Sequence, residues 1–288
     1  MDPHFGKPKE AEAWSLITPV DAWWDLKFGE IWQYRYLLFL FVKRDFVAVY
    51  KQTILGPIWF FLQPILATII YTFVFGNIAE IPTDGIPKVL FFLLGITIWN
   101  YFSECLLKTA QTFSSNSHVF EKVYFPRLLV PLSIVFSNLM KFALQFVLFL
   151  GFYFYFVSAG VGFQPNLTVL LFPFLIFIMA GLGIGLGLIV ASLTTKYRDM
   201  QFLVTFVVQL MMYATPIVYP LSLVPHKFLW ILLSNPMTSV IETAKYALLG
   251  RGVFNPLHLF YSFSLMVCLT ILGLVIFHRV ERNFIDTI

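Results

Sequence analysis

The chain has 288 residues, of which 59% are hydrophobic and 12% charged, with a formal net charge of +4. An ordinary soluble domain carries about a quarter of its residues charged, so this composition excludes one and defines an integral membrane protein. The positive balance is no nucleic-acid signal, because the basic residues sit beside apolar runs, and the 34 phenylalanines exceed what two interfacial aromatic belts require.

Residues 1–27 are polar, with Trp14, Trp23 and Trp24 interspersed, and lack the apolar core of a signal peptide. From Phe28 to Lys51 the pattern is apolar with basic flanks. Its longest clean run, Tyr36 to Val42, is seven residues, about a third of a membrane span. It reads as an interfacial helix on the cytoplasmic surface. Residues 1–57 thus form a cytoplasmic N-terminal segment, and residues 58–288 an all-α transmembrane domain. Six spans are predicted there: Ile58–Gly76, which contains Pro64, then Val89–Leu107, Leu128–Val157, Leu167–Leu193, Phe202–Tyr219 and Leu259–Phe277. The third would be about 45 Å long against a hydrocarbon core of about 30 Å, so it must tilt or project. Between the fifth and sixth spans, His226–Ser234 and Met237–Leu249 are apolar but too short to cross. With breaks at Thr215-Pro216 and Asn235-Pro236, they read as two re-entrant helices dipping in from outside, a backbone path that needs protein or water around it.

Orientation follows from the basic residues. Of 19 lysines and arginines, Lys88, Lys227, Lys245 and Arg251 fall outside and Lys141 falls within a span when both termini are cytoplasmic. The other fourteen (19 less five) lie inside, which selects this topology. Gly181, Gly183, Gly185 and Gly187 make two interleaved small-xxx-small pairs, a device for close helix approach. A dinucleotide fingerprint would need a strand-turn-helix around it, which the flanking sequence does not offer. Cys105 and Cys268 lie in apolar runs and read as small buried packing residues. Glu104 and Lys141 are charges within spans, where they are costly. They miss each other if the third span starts at the membrane edge, and meet if it projects inward first. Snorkelling is the expectation for Glu104, and Lys141 stays open. The five histidines are scattered, with no metal-ligand spacing. The sequence has no Gly-x-x-x-x-Gly-Lys-Ser/Thr loop, so ATP-driven work would need a second polypeptide to bind the nucleotide. The loop Ser114–Arg127 carries Val119, Phe120, Val123, Tyr124 and Phe125, more apolar than a free loop requires, and reads as a short helix docking on a partner.

Five ordered motifs carry a family resemblance. They are Arg44-Asp45 with Tyr50-Lys51, Leu55-Gly56-Pro57-Ile58-Trp59 and Gln63-Pro64; Glu121 to Arg127 with Pro131; Tyr197-Arg198-Asp199; Thr215-Pro216-Ile217 with Tyr219; and Asn235-Pro236-Met237. In this order they resemble the permease subunits of ABC-2 type polysaccharide exporters, most closely the O-antigen class. The resemblance implies a homodimer joined to two copies of a separate ATPase, which would bind ATP and Mg, while this chain would hold no cofactor or metal. It implies an undecaprenyl-diphosphate-linked polysaccharide as substrate and the bacterial cytoplasmic (inner) membrane as location. It implies coupling contacts at Val119, Phe120, Glu121, Lys122 and Tyr124, and at Tyr197, Arg198 and Asp199. The helix around Phe28–Val42 would flank the ATPase, and the two short outer helices would form a gate.

Six helices packed at about 8–10 Å leave little room for a wide pore, whereas two chains could enclose one. The candidate path comes from the first and fifth spans. Trp59 and Gln63 are four apart and share a helix face. Phe202, Phe206, Gln209 and Tyr213 follow at spacings that also keep one face. Glutamine facing lipid would leave its amide unpaired, so these faces should point inward, although an aromatic stripe also serves packing. Teichoic acid or capsule export, drug or small-lipid export, ion-coupled transport and an enzyme acting on lipid-linked sugars are the competing readings. The absence of a visible internal repeat disfavours the inverted-repeat secondary transporters.

Overall fold

The computed structural model describes residues 28–51, 53–120, 125–163, 165–197 and 199–285. Their regular structure is helical throughout. Two helices, α1 (Phe28–Gln33) and α2 (Arg35–Tyr50), precede the bundle. A short 3-10 turn leads into α3 (Trp59–Tyr71), which passes into a π-helix at Thr72–Ile78. There follow α4 (Lys88–Ala110), α5 (Thr112–Phe120), α6 (Leu129–Ser158) and α7 (Phe172–Thr194). The chain ends with α8 (Met200–Tyr213), α9 (His226–Ser234), α10 (Pro236–Leu249) and α11 (Pro256–Ile285).

Among the described residues, five helical stretches are long and apolar enough to cross a membrane: Gly56–Ile78, Lys88–Ala110, Leu129–Ser158, Leu167–Thr194 and Pro256–Glu281. The chain is therefore a multi-pass membrane protein. The predicted fifth span ends earlier than its apolar run. α8 stops at Tyr213, so its 14 residues reach about 21 Å, short of the ~30 Å core. The apolar residues beyond it, Thr215 to Val218, are buried in irregular backbone instead. Hydropathy extends through Tyr219, but Pro216 cannot continue the helical ladder. The sixth span is longer than its apolar run, because α11 continues past Phe277 to Ile285.

α4 is the centre of the bundle. In its apolar window 83% of residues are buried, against 17% for Gly56–Ile78 and 22% for Pro256–Glu281. It lies against α7, and α7 in turn against α11. The glycine run makes this three-helix layer possible. A Cβ on Gly183 would stand 2.6 Å from the Cys105 Cβ, and one on Gly187 2.5 Å from the Thr109 Cβ, both on α4. A Cβ on Gly185 would stand 2.7 Å from the Thr270 backbone nitrogen of α11. The two interleaved pairs thus serve two different helices. From the α11 side, Gly273 approaches the Gly185 carbonyl closely enough to put a Cβ at 2.5 Å. Cys105 is a buried packing residue, as expected. Cys268 is exposed, contrary to expectation; it lies on the outward face of α11, where an apolar run needs no protein contact because lipid can cover it.

These contacts give a first prediction. Gly185→Ala must push backbone from backbone, so it should cost about 1–3 kcal/mol, the usual range for overpacking. Gly151→Ala has nothing within 4 Å and serves as the control. Thermal unfolding of the purified protein in detergent should show a lower midpoint for the first and an unchanged one for the second.

Candidate functional site

At one end of the bundle, three segments come together. Thr194 of α7 donates its hydroxyl to the Ala110 carbonyl at 3.2 Å, and Gln201 of α8 donates to the Ser114 hydroxyl at 2.9 Å. The α4–α5 region and the α7–α8 turn are therefore neighbours. α2 joins them through Arg44, whose guanidinium donates to Asn116 Oδ1 at 3.4 Å, and through Phe41, packed edge-on to Phe125 at 5.4 Å. α5 kinks at Asn116. Its Phe113 stacks on Phe277 of α11 at 4.8 Å. Arg127 lies over the Phe120 ring at 5.4 Å and donates to the Glu281 carbonyl at 3.2 Å, tying α6 to the end of α11.

The predicted coupling residues divide here. Phe120 is half-buried against Phe113 and Phe125, so its own chain accounts for much of its ring. Tyr197 and Asp199 are exposed on the α7–α8 turn, and Lys196 lies over the Tyr197 ring at 5.3 Å. Glu121, Lys122, Tyr124 and Arg198 lie outside the described residues, as does the side chain of Val119.

Deeper in the bundle, Glu104 and Lys141 form an ion pair between α4 and α6. The expectation of snorkelling for Glu104 is thus corrected. Lys108 approaches the other Glu104 oxygen at 3.1 Å and donates to Asn138 Oδ1 at 2.9 Å. The pairing fixes how the helices are offset. Glu104 is six residues from the end of α4 and Lys141 twelve from the start of α6. At about 1.5 Å per residue, α6 extends roughly 9 Å beyond α4 on this side. The long third span projects from the layer formed by its neighbours, which is the condition under which the two charges meet.

Towards the other end, α10 is enclosed. Every residue from Met237 to Lys245 is buried. Asn235 caps the helix by accepting the Met237 N–H at 3.0 Å, and its amide donates to the Thr215 hydroxyl at 2.9 Å. The Thr-Pro and Asn-Pro-Met motifs are therefore in contact. Lys245, counted from sequence on the outside, is 1% exposed. It donates to Glu242 Oε1 at 3.1 Å and to the Pro216 carbonyl at 2.6 Å, and lies 4.0 Å from the Phe91 ring centroid. Glu242 Oε2 accepts the Val253 N–H at 3.2 Å. One buried pair thus joins α10, α4, the break after α8 and the loop before α11. The sequence carried one signal of it, a Glu and Lys three apart on an apolar helix.

The six predicted path residues are all on the outside of the single chain. Trp59 is 43% exposed, Phe202 81%, Phe206 62% and Tyr213 51%, and Gln63 and Gln209 are exposed as well. The amides therefore do not point into the bundle of their own chain. The helices that carry them are close at one end, where the Tyr71 hydroxyl lies 3.7 Å from Met212 Sδ. Sequence reasoning missed Gln145, which is 1% exposed within α6.

The profile of the family described as ABC-2 type transporter matches residues 36–249, and the chain belongs to that family. It is 29% identical over 252 residues to the O-antigen export system permease protein RfbA of Klebsiella pneumoniae, covering 87% of this chain and 94% of that protein. A protein of the same description from Myxococcus xanthus is 32% identical over 217 residues, 74% of this chain and 80% of its own. The polysialic acid transport protein KpsM of Escherichia coli is 22% identical over 238 residues, 81% and 89% of the two chains.

The charge pair in α10 gives a second prediction. Lys245→Met leaves Glu242 buried and unpaired, and should cost about 3–5 kcal/mol. Adding Glu242→Gln should recover most of this loss. Unfolding midpoints in detergent for the single and double variants check both statements.

Proposed function

We propose that this chain is the membrane-spanning permease subunit of an ATP-driven exporter of lipid-linked polysaccharide of the O-antigen type. Two copies enclose the path and two copies of a separate ATPase, binding ATP and Mg, drive it. The observation that carries the reading is the exposure of amides and aromatic rings on α3 and α8, two helices that bury little within their own chain. Lipid satisfies rings but not amides. A second copy facing the first would turn both stripes toward a shared channel. There the flat C–H faces of sugars can lie on Trp59, Phe202, Phe206 and Tyr213, with Gln63 and Gln209 offering hydrogen bonds. The names of the relatives supply the substrate class. Teichoic acid or capsule chains, and drugs or small lipids, are the alternatives within the same transport mechanism.

The end where α2, α5 and the α7–α8 turn gather is the cytoplasmic, ATPase-facing end in this reading. Tyr197 and Asp199 supply its exposed contact, with Glu121, Lys122, Tyr124 and Arg198 on the adjoining segments. Both termini are cytoplasmic in the inner membrane. α9 and α10 are re-entrant from outside, and α8 with the buried Thr215–Val218 segment makes up the fifth of six crossings. With Lys245 buried, the outside keeps three basic residues, Lys88, Lys227 and Arg251, so the charge asymmetry that sets this orientation grows.

Two measurements test the proposal. The double variant Phe206→Ala/Tyr213→Ala should lower surface polysaccharide by about tenfold, the equivalent of ~1.4 kcal/mol, while assembly with the ATPase stays intact. Undiminished export with intact assembly removes these residues from the path. For orientation, an impermeant thiol reagent on intact cells should label Ser222→Cys and leave Thr195→Cys unlabelled; the opposite pattern reverses the topology.

A further inference from the structure

α4 is enclosed all round only over its first half, where every residue from Leu90 to Trp99 is buried. From Asn100 onward the helix opens along one face, at Asn100, Ser103, Glu104, Leu107 and Lys108, and then at its C-terminal cap, Gln111. These positions recur at spacings of three and one, the repeat of a single helical stripe. The other side stays closed. Tyr101 packs on Phe142 of α6 with 5.2 Å between ring centroids, and Cys105 and Thr109 lie against Gly183 and Gly187 of α7.

Five of these six side chains are polar, Leu107 being the exception. Exposed residues such as Ile69 and Ile70 of α3 or Ile271 and Leu272 of α11 suit lipid; Asn100 does not. It is twelve positions from one end of α4 and ten from the other, roughly 18 Å and 15 Å, and so sits near the middle of the hydrocarbon core. Its backbone carbonyl accepts the Ser103 hydroxyl at 3.2 Å. Its side-chain amide makes no hydrogen bond among the described residues, and neither of its polar atoms is sealed from the surface. Asparagine is too short to snorkel to the membrane edge. An open amide at that depth is costly in lipid, so water or a polar ligand meets it. Charges follow on the same stripe: the side chains of Glu104 and Lys108 stay 23% and 44% exposed, and they too call for water rather than lipid.

We propose that this face of α4 is a hydrated wall of the path taken by the polysaccharide, and that Asn100 hydrogen-bonds the passing chain. The proposal rests on the exporter reading above and adds to it a third helix and the depth at which contact is made. An amide carries two donors and an acceptor, which matches sugar hydroxyls that both donate and accept. The charged groups of the stripe are already engaged, Glu104 by Lys108 and Lys141, and Lys108 by Asn138 as well. The free hydrogen-bonding capacity at mid-depth therefore lies with a neutral group, which favours a polyhydroxylated chain over an ion. Stacking on rings is indifferent to the placing of individual hydroxyls, whereas a fixed amide is not, so Asn100 also discriminates among sugars.

The test has two arms. The first uses the full chain in opened membrane fragments, where both sides are reached whatever its orientation, with Cys268→Ser removing the exposed native thiol. The probe is a permanently charged methanethiosulfonate. Asn100→Cys, Ser103→Cys and Leu107→Cys should react about tenfold faster than Ile69→Cys and Ile271→Cys, since the reagent needs an ionised thiol in water. In the second arm, Asn100→Leu should lower surface polysaccharide in cells by about five- to tenfold, the scale of one hydrogen bond. Asn100→Gln should retain most of the export, and Leu107→Cys should react as before when Asn100→Leu is added. Reaction along the stripe as slow as at Ile69→Cys overturns the proposal. So do disulfide-linked dimers of Leu107→Cys that exclude the reagent, which would give the face to a second copy of the chain. Deletion of the whole chain without loss of surface polysaccharide fails the exporter reading. Loss on deletion but undiminished export in Asn100→Leu fails this proposal alone.

Discussion

The close approach of α4, α7 and α11 is the constraint on which the rest of this structure depends. In a membrane, helices gain nothing by hiding apolar surface from lipid that is equally apolar, so their association rests on tight packing and polar contacts. Here the tight packing is placed on one helix. α7 carries glycines on two faces, and each face receives backbone or Cβ atoms of a different neighbour at distances no side chain could tolerate. Because α7 is held on both sides, α4 is enclosed, and because α4 is enclosed, Phe91 is available as a wall for the buried Lys245.

The polar contacts then divide the molecule into two ends with different characters. At one, Glu104, Lys108, Lys141 and Asn138 set the offset of α6 against α4, and α2, α5 and the α7–α8 turn gather beneath it. At the other, Glu242 and Lys245 tie α10 to segments before and after it. α4 passes through both, with Phe91 near one end and Glu104 near the other.

Five of the six expected spans were legible in the sequence because hydropathy, basic flanks and proline placement all report on the same solvent. α6, α9 and α10 fall within two residues of their expected bounds. The end of α8 was not legible, since an apolar run says that a segment is buried or in lipid but not that it is helical; Pro216 carried that information. The burial of Lys245 was not legible for the converse reason. Its partners, the Pro216 carbonyl and the Phe91 ring, are distant in sequence, and position between two spans says only on which side a lysine lies. The Glu104–Lys141 pair hinged on the offset of two helices, a tertiary quantity no local pattern encodes. The faces of α3 and α8 were each identified as a face, but whether they turn toward their own bundle depends on how many chains share the work.

The buried pair in α10 also bears on how the chain is made. A lone lysine in the hydrocarbon region costs about 2.5–3.5 kcal/mol at insertion, and Lys245 brings Glu242 with it one turn away, so the helix arrives already partly neutralised. Two of the groups that receive it, Phe91 and the Pro216 carbonyl, lie earlier in the sequence. Synthesis proceeds from the N-terminus, so both groups are made before α10. Only the contact from Val253 to Glu242 is added afterwards. The order of the motifs along the chain thus makes two of the partners of Lys245 before the lysine itself, and one partner of Glu242 after it.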